Sequence, residues 1–245
     1  MCCKPPDLLD FSLDAEGNGN AADLSGLAGC KRLKYVNLSG LAVTDLSFLQ
    51  GKVGINRLHL NDLRQLGDIS AVGSLTGLNT LQINNCPSIG DYSPVGACRS
   101  LQQLFLSADF DNRIQDASFV GNLNMLEDIV LSGVALPNLD FLTQISQGRT
   151  NLKSLELNGS AGDYSGLGAF DVINRLSLRP DNSADAGAIY AALADCRITY
   201  LTLGNLDQVD ISALPQPTQE LTLDRCAITD LTSAPEEWAV PNLTL

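Results

Sequence analysis

Residues 33–49 read LKYVNLSGLAVTDLSFL, and the apolar positions in this stretch set the rhythm of the whole chain. Leu33, Val36 and Leu38 hold an L-x-x-L-x-L spacing, Leu41 and Val43 follow, and Asp45-Leu46-Ser47 closes the unit. The same core restarts near Leu8, Leu33, Ile55, Leu78, Leu101, Leu126, Leu152, Ile173, Ile198, Thr218 and Val240, in steps of about 20 to 26 residues. Alternation across x-L-x-L predicts a short strand with Leu, Val and Ile inward and the intervening residues outward. One such strand cannot bury its apolar side alone, so each unit has to stack on the next. The chain then turns, at Ser39-Gly40, Pro87 or Asn205 for example, and crosses back to begin the next strand.

A second periodic feature runs in phase with the first. Asp23-Leu24-Ser25, Asp45-Leu46-Ser47, Asp68-Ile69-Ser70, Asp91-Tyr92-Ser93, Asp116-Ala117-Ser118, Asp163-Tyr164-Ser165, Asp210-Ile211-Ser212 and Asp230-Leu231-Thr232 recur at the start of the return segments. Asp140 keeps the carboxylate but is followed by Phe141-Leu142, and Asp185 fits loosely. An Asp oxygen there can accept from backbone N–H groups at the start of a short helix, as an N-cap does. Pro94 after Ser93 sits at a first helical position, where a missing N–H does no harm. Short returns such as 70–78 suit a 3₁₀ turn; the longer stretches 139–152 and 184–195 predict α-helix.

The unit L-x-x-L-x-L-x-x-(L/C/V)-x-(V/I)-x-D-(L/I/Y)-S-x-(L/V) resembles the short bacterial leucine-rich repeat of the internalin type, and the likeness covers the chain from about residue 8 to residue 245. That family carries an Asn in the turn, where this chain has Leu41, Leu63, Cys86, Asp109, Val134, Ser160, Asp181, Leu206 and Cys226. Without the Asn side chains, the inward backbone groups of the turns need other partners or water, so an irregular solenoid is expected. The resemblance implies an α/β fold: a right-handed leucine-rich-repeat solenoid with a parallel β-sheet on the concave face and short 3₁₀ or α segments on the convex face. It implies a single domain over residues 1–245, in which 1–30 form a degenerate first repeat and about ten further repeats follow, the last incomplete. Val240, Leu243 and Leu245 start a strand with no polar cap after it, so the expectation is that the chain continues or packs its end on another chain, and is otherwise a monomer. A bacterial adhesion, effector or sensor role is what the resemblance implies for function.

Composition narrows the choices. Aromatics make up 5% of the chain, so the core is filled by aliphatic side chains. With 28 acidic and 15 basic residues the net charge is −13, which argues against nucleic acid or an anionic membrane as partner. The seven Cys (2, 3, 30, 86, 98, 196 and 226) are odd in number and lack C-x-x-C spacing, unlike a disulfide framework or zinc site. Free thiols favour a reducing compartment. A cytoplasmic location is therefore expected; the bacterial cell surface or secretion is the alternative if an export signal was removed, with Cys2 or Cys3 as a candidate lipid attachment point. No transmembrane segment is expected, since no window reaches the ~18 apolar residues a span needs.

Candidate chemistry is sparse. Asp14-Ala15-Glu16-Gly17-Asn18-Gly19 matches the first half of a calcium loop, but Ser25 stands at the twelfth position, where a bidentate acid belongs. His59 is the only His, and its outward neighbours offer no Ser or Cys nucleophile, so neither enzyme nor cofactor is implied. What remains is recognition on the outward strand positions. Tyr35, Asn37, Arg57, His59, Gln82, Gln103, Phe105, Asp128, Val130 and Glu156 form the candidate patch, because aromatic and apolar side chains facing solvent, and Tyr and Arg as anchors, mark interfaces. The expected function is non-catalytic binding of a protein partner, with a sensing module of a larger intracellular protein as the alternative.

Overall fold

The computed structural model describes residues 8–15, 23–147, 151–181, 186–207, 209–210, 213–214, 219–230 and 242–244. The chain divides into two compact units, Met1–Arg113 with Ala117–Leu126, and Ile114–Asp116 with Glu127–Leu245.

In the first unit the apolar cores become β1 (Asp10–Asp14), β2 (Tyr35–Ser39), β3 (Arg57–Asn61), β4 (Thr80–Asn84) and β5 (Gln103–Ser107), parallel and in chain order. Register places equivalent aliphatic residues side by side: Val36, Leu58, Leu81 and Leu104 in one inward row, Leu38, Leu60, Ile83 and Leu106 in the next. All eight are 0–1% exposed. Burying each such side chain contributes about 1.5–3 kcal/mol. The strands β2, β3 and β4 each end in a left-handed residue: Gly40, Asp62 and Asn85 lie at φ 66°, 54° and 51°. Asp and Asn tolerate that conformation better than other side-chain-bearing residues. The N–H of each donates to a carbonyl one repeat along, on Asn61, Asn84 and Ser107, at 2.9–3.0 Å.

The return segments start as the Asp ladder predicts. The N–H groups of Ser25, Ser47, Ser70 and Ser93 donate to Asp23, Asp45, Asp68 and Asp91 Oδ1 at 2.8–2.9 Å. Each serine begins a 3₁₀ turn, at Ser25–Gly29, Ser47–Leu49, Ser70–Ser74 and Ser93–Ala97. These bonds hold the four carboxylates below their ordinary pKa, the serine hydroxyl being the larger cause at Asp23 and Asp45 and the backbone N–H at Asp68 and Asp91. Lys52 ties two repeats together from within: its Nζ donates to the carbonyls of Ala28 (2.8 Å) and Cys30 (3.1 Å), and burial pulls its pKa down.

The second unit holds β6 (Asp128–Leu136), β7 (Asn151–Ala161), β8 (Val172–Arg179), β9 (Arg197–Gly204), β11 (Glu220–Asp224) and β13 (Asn242–Thr244), again parallel and neighbours in that order. A separate parallel pair joins β10 (Val209–Asp210) and β12 (Ile228–Asp230). Both long returns are helical as predicted, at α1 (Asp140–Ile145) and α2 (Ala186–Leu193), with a 3₁₀ turn at Ser165–Ala169 between them.

Three expectations need correcting. Asp109 is exposed and does not fill the inward turn position; Ile114, 3% exposed, bridges to Val134 instead, and residues 109–113 form an excursion that spares the carboxylate from burial. Ser160 is also displaced from that position. A bulge at Gly133 sets Gly159 opposite Val134 and turns Ser160 outward, where its hydroxyl donates to Asp181 Oδ2 at 3.2 Å. Gly159 sits at φ 133°, and a Cβ there would lie 2.2 Å from Val134 O, so nothing larger fits. Finally, Asp140 is not the capping acid. Its own N–H donates to Asn138 Oδ1 at 3.0 Å, so the rung is Asn138-Leu139-Asp140, two residues earlier than the carboxylate suggested. Asp185, Ser212 and Thr232 lie outside the described residues.

The missing turn asparagines are partly replaced by thiols. Cys86 Sγ approaches the carbonyls of Leu60 (3.8 Å) and Asn84 (3.4 Å), and Cys226 Sγ those of Leu203 (3.4 Å) and Asp224 (3.6 Å). Burial pushes the Cys86 and Cys98 thiols up to about 11, so they stay protonated, as a donor must.

Candidate binding surface

Outward residues stand in three columns along the strands. In the first unit β2 to β5 contribute Tyr35, Arg57, Thr80 and Gln103; then Asn37, His59, Gln82 and Phe105; then Ser39, Asn61, Asn84 and Ser107. Register therefore brings together seven of the ten candidate residues. The other three, Asp128, Val130 and Glu156, belong to β6 and β7 of the second unit. Apart from Ser39, sequence reasoning passed over the third column, although its signal was available: a strand with two inward residues has a third outward position two past the middle one.

The third column completes a hydrogen-bonded chain of side chains. Gln82 Nε2 donates to Asn61 Oδ1 (2.9 Å), Asn61 Nδ2 to Asn37 Oδ1 (3.4 Å), and Asn37 Nδ2 to Ser12 Oγ on β1 (3.0 Å). All three amides point their NH₂ towards β1. Beside this chain, the Tyr35 and His59 rings meet edge to face at 5.3 Å, with the Tyr35 hydroxyl 3.4 Å from His59 Nδ1. The Arg57 guanidinium lies 5.8 Å from the Tyr35 ring centroid. Burial, then the charge of Arg57, lowers the His59 pKa below its ordinary 6.5, so the ring is neutral at pH 7. Tyr35, His59 and Phe105 are half-buried, held in place while keeping a face to solvent. Arg57 is the one formally charged residue in these three columns of β2–β5.

The same columns in the second unit carry charge of both signs: Asp128, Glu156, Arg175, Arg179, Glu220 and Asp224. Arg175 lies 4.7 Å from the Tyr200 ring centroid. Arg179 donates to Ser177 Oγ (2.6 Å) and reaches across β9 to Asp224 Oδ2 at 3.5 Å. Gly204 makes room for that crossing, since a Cβ there would meet Arg179 Cγ at 2.9 Å. Glu156 accepts from Asn158 Nδ2 at 2.8 Å.

On the return side of the second unit, a groove of about 460 Å³ runs between the 3₁₀ turn and α2, lined by Asp163, Phe170, Asp171, Ala191, Asp195 and Cys196 among others. Burial raises the Cys196 thiol to about 11, so the groove presents no thiolate. Among the described residues no group of three or more His, Cys, Asp or Glu is placed to hold a metal ion, and no helix is long and apolar enough to cross a membrane. Residues 16–22 of the calcium-loop resemblance lie outside the described residues.

Parallel strands stacked in chain order, several followed by a left-handed turn and an Asp-started 3₁₀ return, define a leucine-rich-repeat solenoid. Solved structures share this fold: internalin C2 of Listeria monocytogenes is similar over 87% of this chain and 80% of its own, at 20% identity and a TM-score of 0.51. Internalin F of the same organism aligns over 97% and 87%, at 17% identity and a TM-score of 0.42. A chain of the mouse RP105/MD-1 complex aligns over 90% of this chain but 42% of its own length, at 16% identity and a TM-score of 0.56. No protein-family model and no curated protein matches the sequence. At these identities the likeness is one of fold.

Proposed function

We propose that this chain is a non-catalytic recognition scaffold that binds a protein partner through the sheet face of its first unit. The observation that carries this is the hydrogen-bonded face of β2–β5, which holds a single formal charge within a chain of net charge −13. Side chains already held by their neighbours lose little freedom on binding, which favours recognition. Tyr35, Arg57 and Phe105 supply the aromatic and guanidinium anchors typical of interface centres. The mouse RP105 structure is, by its own description, a complex with MD-1, which fits a partner-binding use of the fold.

Affinity capture followed by calorimetry with the captured partner tests the reading. Phe105→Ala and Arg57→Glu are each expected to weaken binding by about 1.4 kcal/mol or more, roughly tenfold, while Glu156→Lys in the second unit leaves it near wild type. Unchanged affinity in both first-unit variants would move the site to the return side or the loops.

A further inference from the structure

We propose that Tyr35, Arg57 and His59 form a one-proton switch that opens the first-unit sheet face in mildly acidic solution. This rests on the recognition reading only in taking that face as the binding surface. His59 is the chain's sole His, so no other imidazole can respond in this pH range. Its ring is half-buried in the middle column of β3, between Asn37 on β2 and Gln82 on β4. While neutral with its proton on Nε2, His59 accepts the Tyr35 hydroxyl proton at Nδ1 across 3.4 Å; the Tyr35 ring meets the imidazole edge to face, and the Arg57 guanidinium lies over that ring at 5.8 Å from its centroid. Protonation makes both ring nitrogens donors. The Tyr35 hydroxyl then meets an N–H instead of a lone pair and must turn from donor to acceptor, and a second cation appears beside Arg57.

Nothing adjacent compensates that charge. From β4 the ring faces Thr80, Gln82 and Asn84, none of them titratable near neutral pH. From β2 it faces Tyr35, Asn37 and Ser39; on its own strand the flanking outward residues are Arg57 and Asn61. The outward carboxylates of β1, Asp10 and Asp14, pair with Tyr35 and Ser39, which puts them two strands from His59, about 10 Å away. Imidazolium and guanidinium therefore repel across one residue of β3, and the edge-to-face contact that orders Tyr35 is lost. Net formal charge over β2–β5 rises from one to two, doubling the charge a partner meets.

Nuclear magnetic resonance of the full chain from pH 7.5 to 5.0 tests this without a partner. The His59 Hε1 signal is expected to titrate below 6.5, the Tyr35 ring signals to follow the same midpoint, and the Tyr35–His59 ring cross-peak to vanish at the acid end. Arg57→Gln should raise the midpoint by removing a like charge. His59→Gln, with its fold verified by circular dichroism, should leave the Tyr35 signals flat across the range. A cross-peak that persists through the His59 titration, or Tyr35 signals that still move in His59→Gln, would overturn the switch. Failure here would leave the recognition reading standing, and a partner bound elsewhere would leave this titration unchanged.

Discussion

The sheet faces of the two units are built on one repeat and held by different forces. On β2–β5 neutral amides, a phenol and an imidazole bond to one another around a single guanidinium. On β6–β9 and β11 the same columns are organised by Arg179 against Asp224 and by Arg175 over Tyr200. Leucines inside do not determine which arrangement appears outside, so the scaffold leaves its surface free to differ. Exposed ion pairs are screened at high salt, whereas neutral hydrogen bonds are not. Hence the first unit suits a partner recognised by shape and hydrogen bonding, and the second is the salt-sensitive half.

Predictions follow by effect size. Gly159→Ala forces a Cβ against Val134 O in the second unit, and should cost about 3 kcal/mol in urea unfolding. Lys52→Ala strips the first unit of a buried cation satisfied by two carbonyls, and should cost about 2 kcal/mol by the same measurement. Asp45→Ala removes a turn-starting acceptor and should cost about 1 kcal/mol, while Asp45→Asn retains most of the stability, as the natural amide at Asn138 indicates.

The caps also respond to pH; the second unit shares the acid form at Asp163, whose Oδ1 accepts from the Ser165 N–H at 2.8 Å, and departs from it at Asn138. Folding lowers the pKa of Asp23, Asp45, Asp68 and Asp91 below 3.8, so their stabilisation is complete above about pH 4 and is lost as pH falls through the folded values. Asn138 has no proton to gain there. Acid titration followed by circular dichroism should therefore show a weaker acid dependence when Asp45 and Asp68 are both replaced by Asn. Smallest of all, Arg179→Gln should cost under about 1 kcal/mol at low salt and nothing measurable at 1 M salt.

Most of the fold was legible in the chain because two periodic signals coincide: Val36, Leu58 and Leu81 mark the strands, and Asp45, Asp68 and Asp91 mark the returns. Legibility ended where the repeat departs from itself. Asp109 falls at the expected spacing, but burying a carboxylate costs more than a five-residue detour to Ile114, and spacing alone cannot weigh the two. Asp140 drew attention as the acid in a ladder of acids, yet the Asn138 amide makes the same bond. In the candidate face the first two outward columns were readable from alternation. The Asn61 link was not, because an exposed Asn reads as ordinary surface until register shows Gln82 on one side of it and Asn37 on the other.

The central claim, that recognition belongs to the first-unit face, is tested most directly by site-specific photo-crosslinking. Benzoylphenylalanine placed at position 82 in one variant and at position 177 in another, each irradiated with the captured partner, compares the two faces in a single assay. The account predicts a covalent adduct from position 82 and little or none from position 177. Equal yields, or an adduct from position 177 alone, would contradict it.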